Sequence, residues 1–206
     1  MEAKPFWEKT YTNKALHTFQ KGPTKDIAEY HHLFMANSLI LDVGCGEGRN
    51  SIFLSTQGHI VDAFDISSKG IEKSKYLANR KMVNVNFFVQ DLCSYRFGKD
   101  YDVILTHGVL HLIEKDSRND FLTVMKSHTK PGGFNVIGIF TNRLPATPDN
   151  VPFTKSLFDV GELPARYSDW EVIHHCEGTF EDTHPGEIHH EHAFERIIAK
   201  KTVPHT

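Results

Sequence analysis

Short apolar runs alternate with amphipathic stretches through the middle of the chain. Runs of six or seven residues at 38–43, 59–65, 85–90, 101–106 and 134–140 predict strands. The stretches between them predict helices over about 50–56, 68–81 and 115–129, with Ser67 or Ser68 capping the second and Pro131-Gly132-Gly133 ending the third. Strand and helix in regular alternation imply right-handed crossovers and a mostly parallel sheet with both faces covered. The first 35 residues read as helical, with Phe6, Trp7 and Tyr11 on them and a break at Gly22-Pro23. Beyond strand five the pattern changes. Residues 142–152 hold three prolines and read as a loop, 156–166 as a short helix, and 170–179 with 193–200 as two antiparallel strands. The expected fold is α/β: a three-layer sandwich on a seven-stranded, mostly parallel sheet that ends in an antiparallel hairpin. One domain over 1–206 follows from the length, with a helical lid (1–35), a cofactor-binding core (36–141) and a substrate-side segment with the hairpin (142–206).

Strand one runs into Gly44-Cys45-Gly46-Glu47-Gly48, a turn stripped of Cβ atoms where a nucleoside-type ligand can press on bare backbone. Strand two ends in Asp65, about twenty residues on, where a carboxylate accepts hydrogen bonds from a ribose diol. Strand three ends in Asp91. The three strand ends share the carboxyl edge at which open α/β sheets bind ligands. A nicotinamide dinucleotide favours a GxGxxG turn that welcomes pyrophosphate. This turn is GxGxG, with Asp42 before it and Glu47 inside it, which suits a cationic ligand: an amino group and a positive sulfur, as in S-adenosyl-L-methionine.

The run LILDVGCGEGRNSIFLSTQGHIVDAFDIS resembles the first motif and second strand of the class I S-adenosylmethionine-dependent methyltransferases. VQDL resembles their third-strand motif, YDVILTHGVLHLI their fourth, and KPGGF the turn into their fifth strand. Within the class, the GRNSIFL helix start and the FDIS strand end are most similar to the tellurite-resistance and thiopurine-type small-molecule enzymes. The resemblance implies a Rossmann-like methyltransferase fold and a set of roles. Asp42 and the backbone of Gly44 and Gly46 would hold the methionine amino end, with Arg49 on its carboxylate. Asp65 would take the ribose, Ile66 the adenine face, and Asp91 with Leu92 the adenine edge. Thr106 or His107 would face the sulfonium.

Composition adds one oddity and several exclusions. The chain holds 14 histidines at a net charge of -3. No basic excess supports a nucleic-acid surface, and Thr106-His107-Gly108-Val109 replaces the Asn-Pro-Pro-aromatic motif of amino-methylating nucleic-acid enzymes. No apolar run is long enough for a bilayer, and no signal-peptide pattern opens the chain, so a cytoplasmic location is expected. Cys45, Cys93 and Cys176 are too scattered for a disulfide framework or a CxxC metal motif.

Three segments are candidates for the acceptor side. Trp7 and Tyr11 form a lid that shields the sulfonium. His107 lies near the methyl group, with His111 further out. The third is the group His184, His189, His190 and His192, facing His174, His175 and Cys176 on the expected partner strand. His107, His184, His189, His192 and Tyr11 are the candidate catalytic residues. The hairpin histidines admit three readings: structural, substrate-binding or basic, or a divalent transition metal held by His184, His189 and His192. The expected function is methyl transfer from S-adenosyl-L-methionine to a small-molecule acceptor through S, N, O or a metalloid. The alternatives are a non-catalytic cofactor- or metal-binding protein, and a nicotinamide-dependent oxidoreductase. The oligomeric state stays open.

Overall fold

The computed structural model describes residues 5–19, 21–147, 150–184 and 188–203, with side chains described outside 182–190. The strands are β1 (Leu39–Val43), β2 (Ile60–Asp65), β3 (Asn86–Val89), β4 (Tyr101–His107), β5 (Thr129–Phe140), β6 (Glu171–His184) and β7 (Ile188–Lys200). They form one sheet in the order β3-β2-β1-β4-β5-β7-β6. Every pairing from β3 to β5 is parallel, and β7 enters antiparallel between β5 and β6. The chain reverses direction across the sheet at β1, where β2 lies on one side and β4 on the other, and this opens a crevice at the strands' carboxyl ends.

Helices α1 (Phe6–Thr10), α2 (Lys25–Tyr30), α3 (Arg49–Thr56), α4 (Ser68–Lys81), α5 (Lys115–Ser127) and α6 (Glu162–Arg166) surround the sheet. Side chains alternate along each strand, so two cores form. One face carries Ile40, Val61, Ala63, Val103, Leu105, Val136 and Ile198, packed with Ile27, Leu54 and Ile71 of α2, α3 and α4. The other carries Leu41, Val43, Ile104, Ile137 and Ile197, packed with Phe121, Leu122, Met125, Phe158 and Leu163. The Ser67 hydroxyl caps α4 by accepting the Gly70 amide. Among the described residues no helix is long and apolar enough to cross a membrane.

Four segments depart from the pattern reading. Among the described residues of the first 35, α-helix is confined to α1 and α2, followed by a 3-10 turn at His31–Leu33, and those between Tyr11 and Thr24 form a non-helical strap. The helix expected over 156–166 shrinks to Glu162–Arg166. The fully buried Arg118 draws the Ser156 and Leu157 carbonyls to its guanidinium, and Phe158 bonds to Phe140, so these groups are committed outside a helix. Strand β5 starts at Thr129, ahead of Pro131, with a register shift between the pairs at Tyr101 and Val103. The hairpin is longer than expected, with β6 and β7 paired all the way to His184↔Ile188.

Candidate functional site

The turn after β1 depends on its glycines. Gly44 and Gly46 have φ of +69° and +56°. A Cβ on Gly44 would overlap the Val109 side chain, and one on Gly46 would lie 2.6 Å from the Tyr11 hydroxyl oxygen. The Asp65 carboxylate braces the turn, accepting the Gly46 amide on one oxygen and the Ser67 amide on the other, both at 2.8 Å. Burial pushes its pKa up, and those two amides pull it back.

Asp42 is buried and accepts the Ser51 hydroxyl of α3. Burial raises its pKa to about 6 despite that hydrogen bond. Arg49 opens α3, half-buried, with its guanidinium 5.8 Å from the Phe19 ring centre. Among the described residues it makes no hydrogen bond or ion pair. At the neighbouring strand ends Ile66 and Val89 expose 69% and 52% of their surface, an apolar step beside Asp65. Asp91 is exposed and holds its own turn by accepting the Cys93 amide, while Leu92 is buried.

Glu47 does not face a ligand. It is buried, and its carboxylate lies 2.7 Å from Lys73 Nζ of α4, which is itself fully buried. It also accepts the Thr18 amide. Lys73 donates to the carbonyls of Thr10 and Leu16. The pair therefore neutralises itself and ties the strap to the turn, and the sequence argument that set Glu47 against a pyrophosphate loses its basis. Tyr11 is buried under the strap against Gly46. Burial, then the charges of Asp65, Cys45 and Glu47, push its phenol well up, which keeps it neutral. Trp7 packs elsewhere, on Phe153.

On the other side of the crevice, His107, Gly138, Arg196 and Cys176 form one row across β4, β5, β7 and β6. Helix α2 lies over this row. Its Asp26 holds His107 Nε2 at 2.7 Å, and its Tyr30 stacks on His174 and bonds to it. Burial would raise Asp26, but His107, then Thr24 and Arg196, hold it well below the usual carboxylate range. Thr106 turns to the opposite face, where it is fully buried. Of the two expected sulfonium-facing residues, only His107 lies on the face of Asp42. His111 is buried and stacks on Phe140, whose ring also stacks on His192. Burial, aided by His192, lowers its pKa to about 3.

His174 and His175 do not face the hairpin histidines as expected. His174 pairs with Ile198 and His175 with Ile197, far down the ladder from His192, which pairs with Phe180. His175 instead holds the buried Glu195 at 3.0 Å. The side chains of His184, His189 and His190 lie outside the described residues. Among the described residues no group of three or more His, Cys, Asp or Glu is arranged to hold a metal. Sequence reasoning missed Asp26, Lys73 and Arg196. Lys73 had a trace of a signal, since it falls among Gly70, Ile71, Ser74 and Ala78 on the buried face of α4.

The model of the family described as "Tellurite resistance protein TehB" matches residues 3–199. A relative from Haemophilus influenzae, named "Probable S-adenosyl-L-methionine-dependent methyltransferase TehB", is 27% identical over 184 residues, 89% of this chain and 59% of its own. The ubiquinone biosynthesis O-methyltransferase of Rickettsia felis is 29% identical over 66% of this chain and 51% of its own. The chain thus spans little more than half the length of these relatives. Among solved structures, TehB from Haemophilus influenzae superposes with a TM-score of 0.77 at 24% identity, over 95% of this chain and 66% of that one. The 1,6-didemethyltoxoflavin-N1-methyltransferase of Burkholderia thailandensis, solved with S-adenosylhomocysteine, gives a TM-score of 0.65 at 22% identity, over 87% and 78%.

Proposed function

This chain belongs to the TehB family, and from that premise we propose that it transfers a methyl group from S-adenosyl-L-methionine to a small-molecule acceptor. The observation that carries the reading is a pair of opposite charges at one turn. Arg49 offers a half-buried guanidinium with no hydrogen bond or ion pair among the described residues, and Asp42 offers a buried carboxylate beside the same glycines. A zwitterionic amino-acid end needs that pair, whereas a pyrophosphate would meet the repulsion of Asp42 and Asp65. The Cβ-free turn accommodates the methionine backbone. Asp65 keeps lone pairs for the ribose hydroxyls, the exposed Ile66 suits the adenine face, and Asp91 with Leu92 lies at the next strand end for its edge. Bound there, the cofactor supplies a methyl group already activated on a positive sulfur.

The chain's own work is then to position the acceptor, exclude water and move a proton where the acceptor carries one. His107 is the base in this reading. Tyr11 and the strap shield the donor end, and His192 with the hairpin borders the acceptor. The small-molecule enzymes among the relatives support that acceptor class.

Calorimetry with S-adenosylhomocysteine tests the donor site. Arg49→Met should weaken binding at least tenfold, with an unaltered melting temperature as the control on folding. Equal affinity in the variant would remove the observation on which the reading stands.

A further inference from the structure

We infer that His107, Asp26 and Arg196 form an acceptor subsite for a small aromatic compound whose methylated atom is an acidic hydroxyl or thiol, ionised within the site and held there as its anion. The inference rests on the methyltransferase reading and adds the acceptor's chemistry to it.

Three polar groups at the β4–β5–β7 row are unsatisfied. Asp26 is 3% exposed, with one oxygen on His107, and its other oxygen is buried without a hydrogen bond. His107 Nδ1 is likewise buried and unbonded. Arg196, directly across the ladder from Gly138, is half-buried with its guanidinium 4.6 Å from the Phe194 ring centre. It makes no hydrogen bond or ion pair among the described residues. A guanidinium partly withdrawn from water calls for an anion.

The orientation of the imidazole decides its role. With Nε2–H donating to Asp26, Nδ1 carries the lone pair. The Cδ2 atom is the ring atom nearest Gly138, so the Nδ1–Cε1 edge faces away from β5, toward β1 and the glycine turn. The charged groups around His107 are Asp26 from α2, Asp42 from β1 and Arg196 from β7, and Arg49 of α3 is near enough to interact with all three of these charges. One pleat further along the same face, Phe140 pairs with Phe194. His192 stacks on Phe140 at 4.4 Å and Phe180 lies 5.8 Å from Phe194. This is an aromatic wall for a flat ring.

In the step proposed, the proton of the acceptor's O–H or S–H passes to His107 Nδ1. The bonding pair stays on the oxygen or sulfur, and the new negative charge is offset from across the row by Arg196, which makes no ion pair of its own among the described residues. Asp26 is a positioning residue that fixes the tautomer and stabilises the imidazolium. A neutral amine would become a cation on methylation and be disfavoured by the same arginine.

Two probes test this with S-adenosylhomocysteine present: 4-nitrophenol, read by its visible phenolate band, and thiophenol, read by its ultraviolet thiolate band. Each is buffered below its solution pKa, so that the free probe is mostly neutral. The wild-type protein should bind at least one of them as the anion, lowering its apparent pKa by about one unit, a tenfold gain in ionisation. The probe that ionises identifies hydroxyl or thiol as the source. Arg196→Met should abolish the band, Arg196→Lys should restore part of it, and Asp26→Asn should bind the probe with a smaller ionised fraction. Binding of both probes in neutral form, binding of neither, or an unchanged band in Arg196→Met would overturn the inference. S-adenosylhomocysteine binding without an anion band sinks the acceptor subsite alone. An anion band without S-adenosylhomocysteine binding supports the subsite and sinks the donor reading.

Discussion

The two halves of the crevice are built by opposite means. On the donor half, between β1 and β2, charges are mostly paired within the protein: Glu47 with Lys73, Asp65 with two amides, Asp42 with Ser51. On the acceptor half, between β4 and β7, Asp26 and His107 each keep a buried polar atom without a hydrogen bond, and Arg196, across Gly138 on the same row, makes no ion pair among the described residues. The first arrangement fixes a backbone shape, which any member of a large class can share. The second leaves binding capacity in side chains, which is where one enzyme differs from another.

The contrast breaks first at Lys73. Removing one partner of a buried ion pair leaves an uncompensated charge, so Lys73→Met should destabilise the fold by about 3–5 kcal/mol in urea denaturation. Adding Glu47→Leu should recover much of the loss. A single-variant cost below about 1 kcal/mol would mean that the strap is not anchored by this pair.

Acid should move the two halves in opposite directions. His111 has a folded pKa near 3, depressed by burial from an ordinary 6.5. Its stabilisation is present above the unfolded value and is lost as pH falls from 6.5, by about 2 kcal/mol at pH 5. Asp42 has a folded pKa near 6, raised by burial from 3.8. The folded form holds its proton more tightly, so stability rises as pH falls through 6, by about 1.4 kcal/mol at pH 5. The two largely cancel in the wild type. His111→Phe should gain stability between pH 7 and 5 and Asp42→Asn should lose it. Parallel shifts in both variants would refute the assignment.

The smallest effect belongs to Ile66. Because its side chain is exposed, Ile66→Ala should leave stability within about 0.5 kcal/mol while lowering S-adenosylhomocysteine affinity a few-fold. Unchanged affinity would remove Ile66 from the adenine face.

The same contrast explains how much the sequence disclosed. The glycine turn, Asp65 and the alternation of strands were legible because backbone conformation and burial dictate the residue types there. The strap was not, because its Leu16 and Thr18 are held by Lys73 and Glu47 from distant elements rather than by local propensity. The start of β5 was hidden by Pro131 and two glycines, and the full hairpin by histidines and carboxylates that mask the two-residue period. Asp26 and Arg196 left no local trace. Their meaning arises only when α2 is laid over β4 and β7, and Glu47 was misjudged because its partner lies on α4.

The insertion of β7 between β5 and β6 also sets an order of assembly. Strands β1 to β4 pair through crossovers that close as each helix forms. Gly138 meets Arg196 only after a loop of roughly sixty residues has closed, and β6 has no place in the sheet until β7 provides one. Loop-closure entropy makes that ladder the late event in folding. The half of the crevice that distinguishes one acceptor from another is therefore the last to acquire its shape, on a donor half that can already be in place.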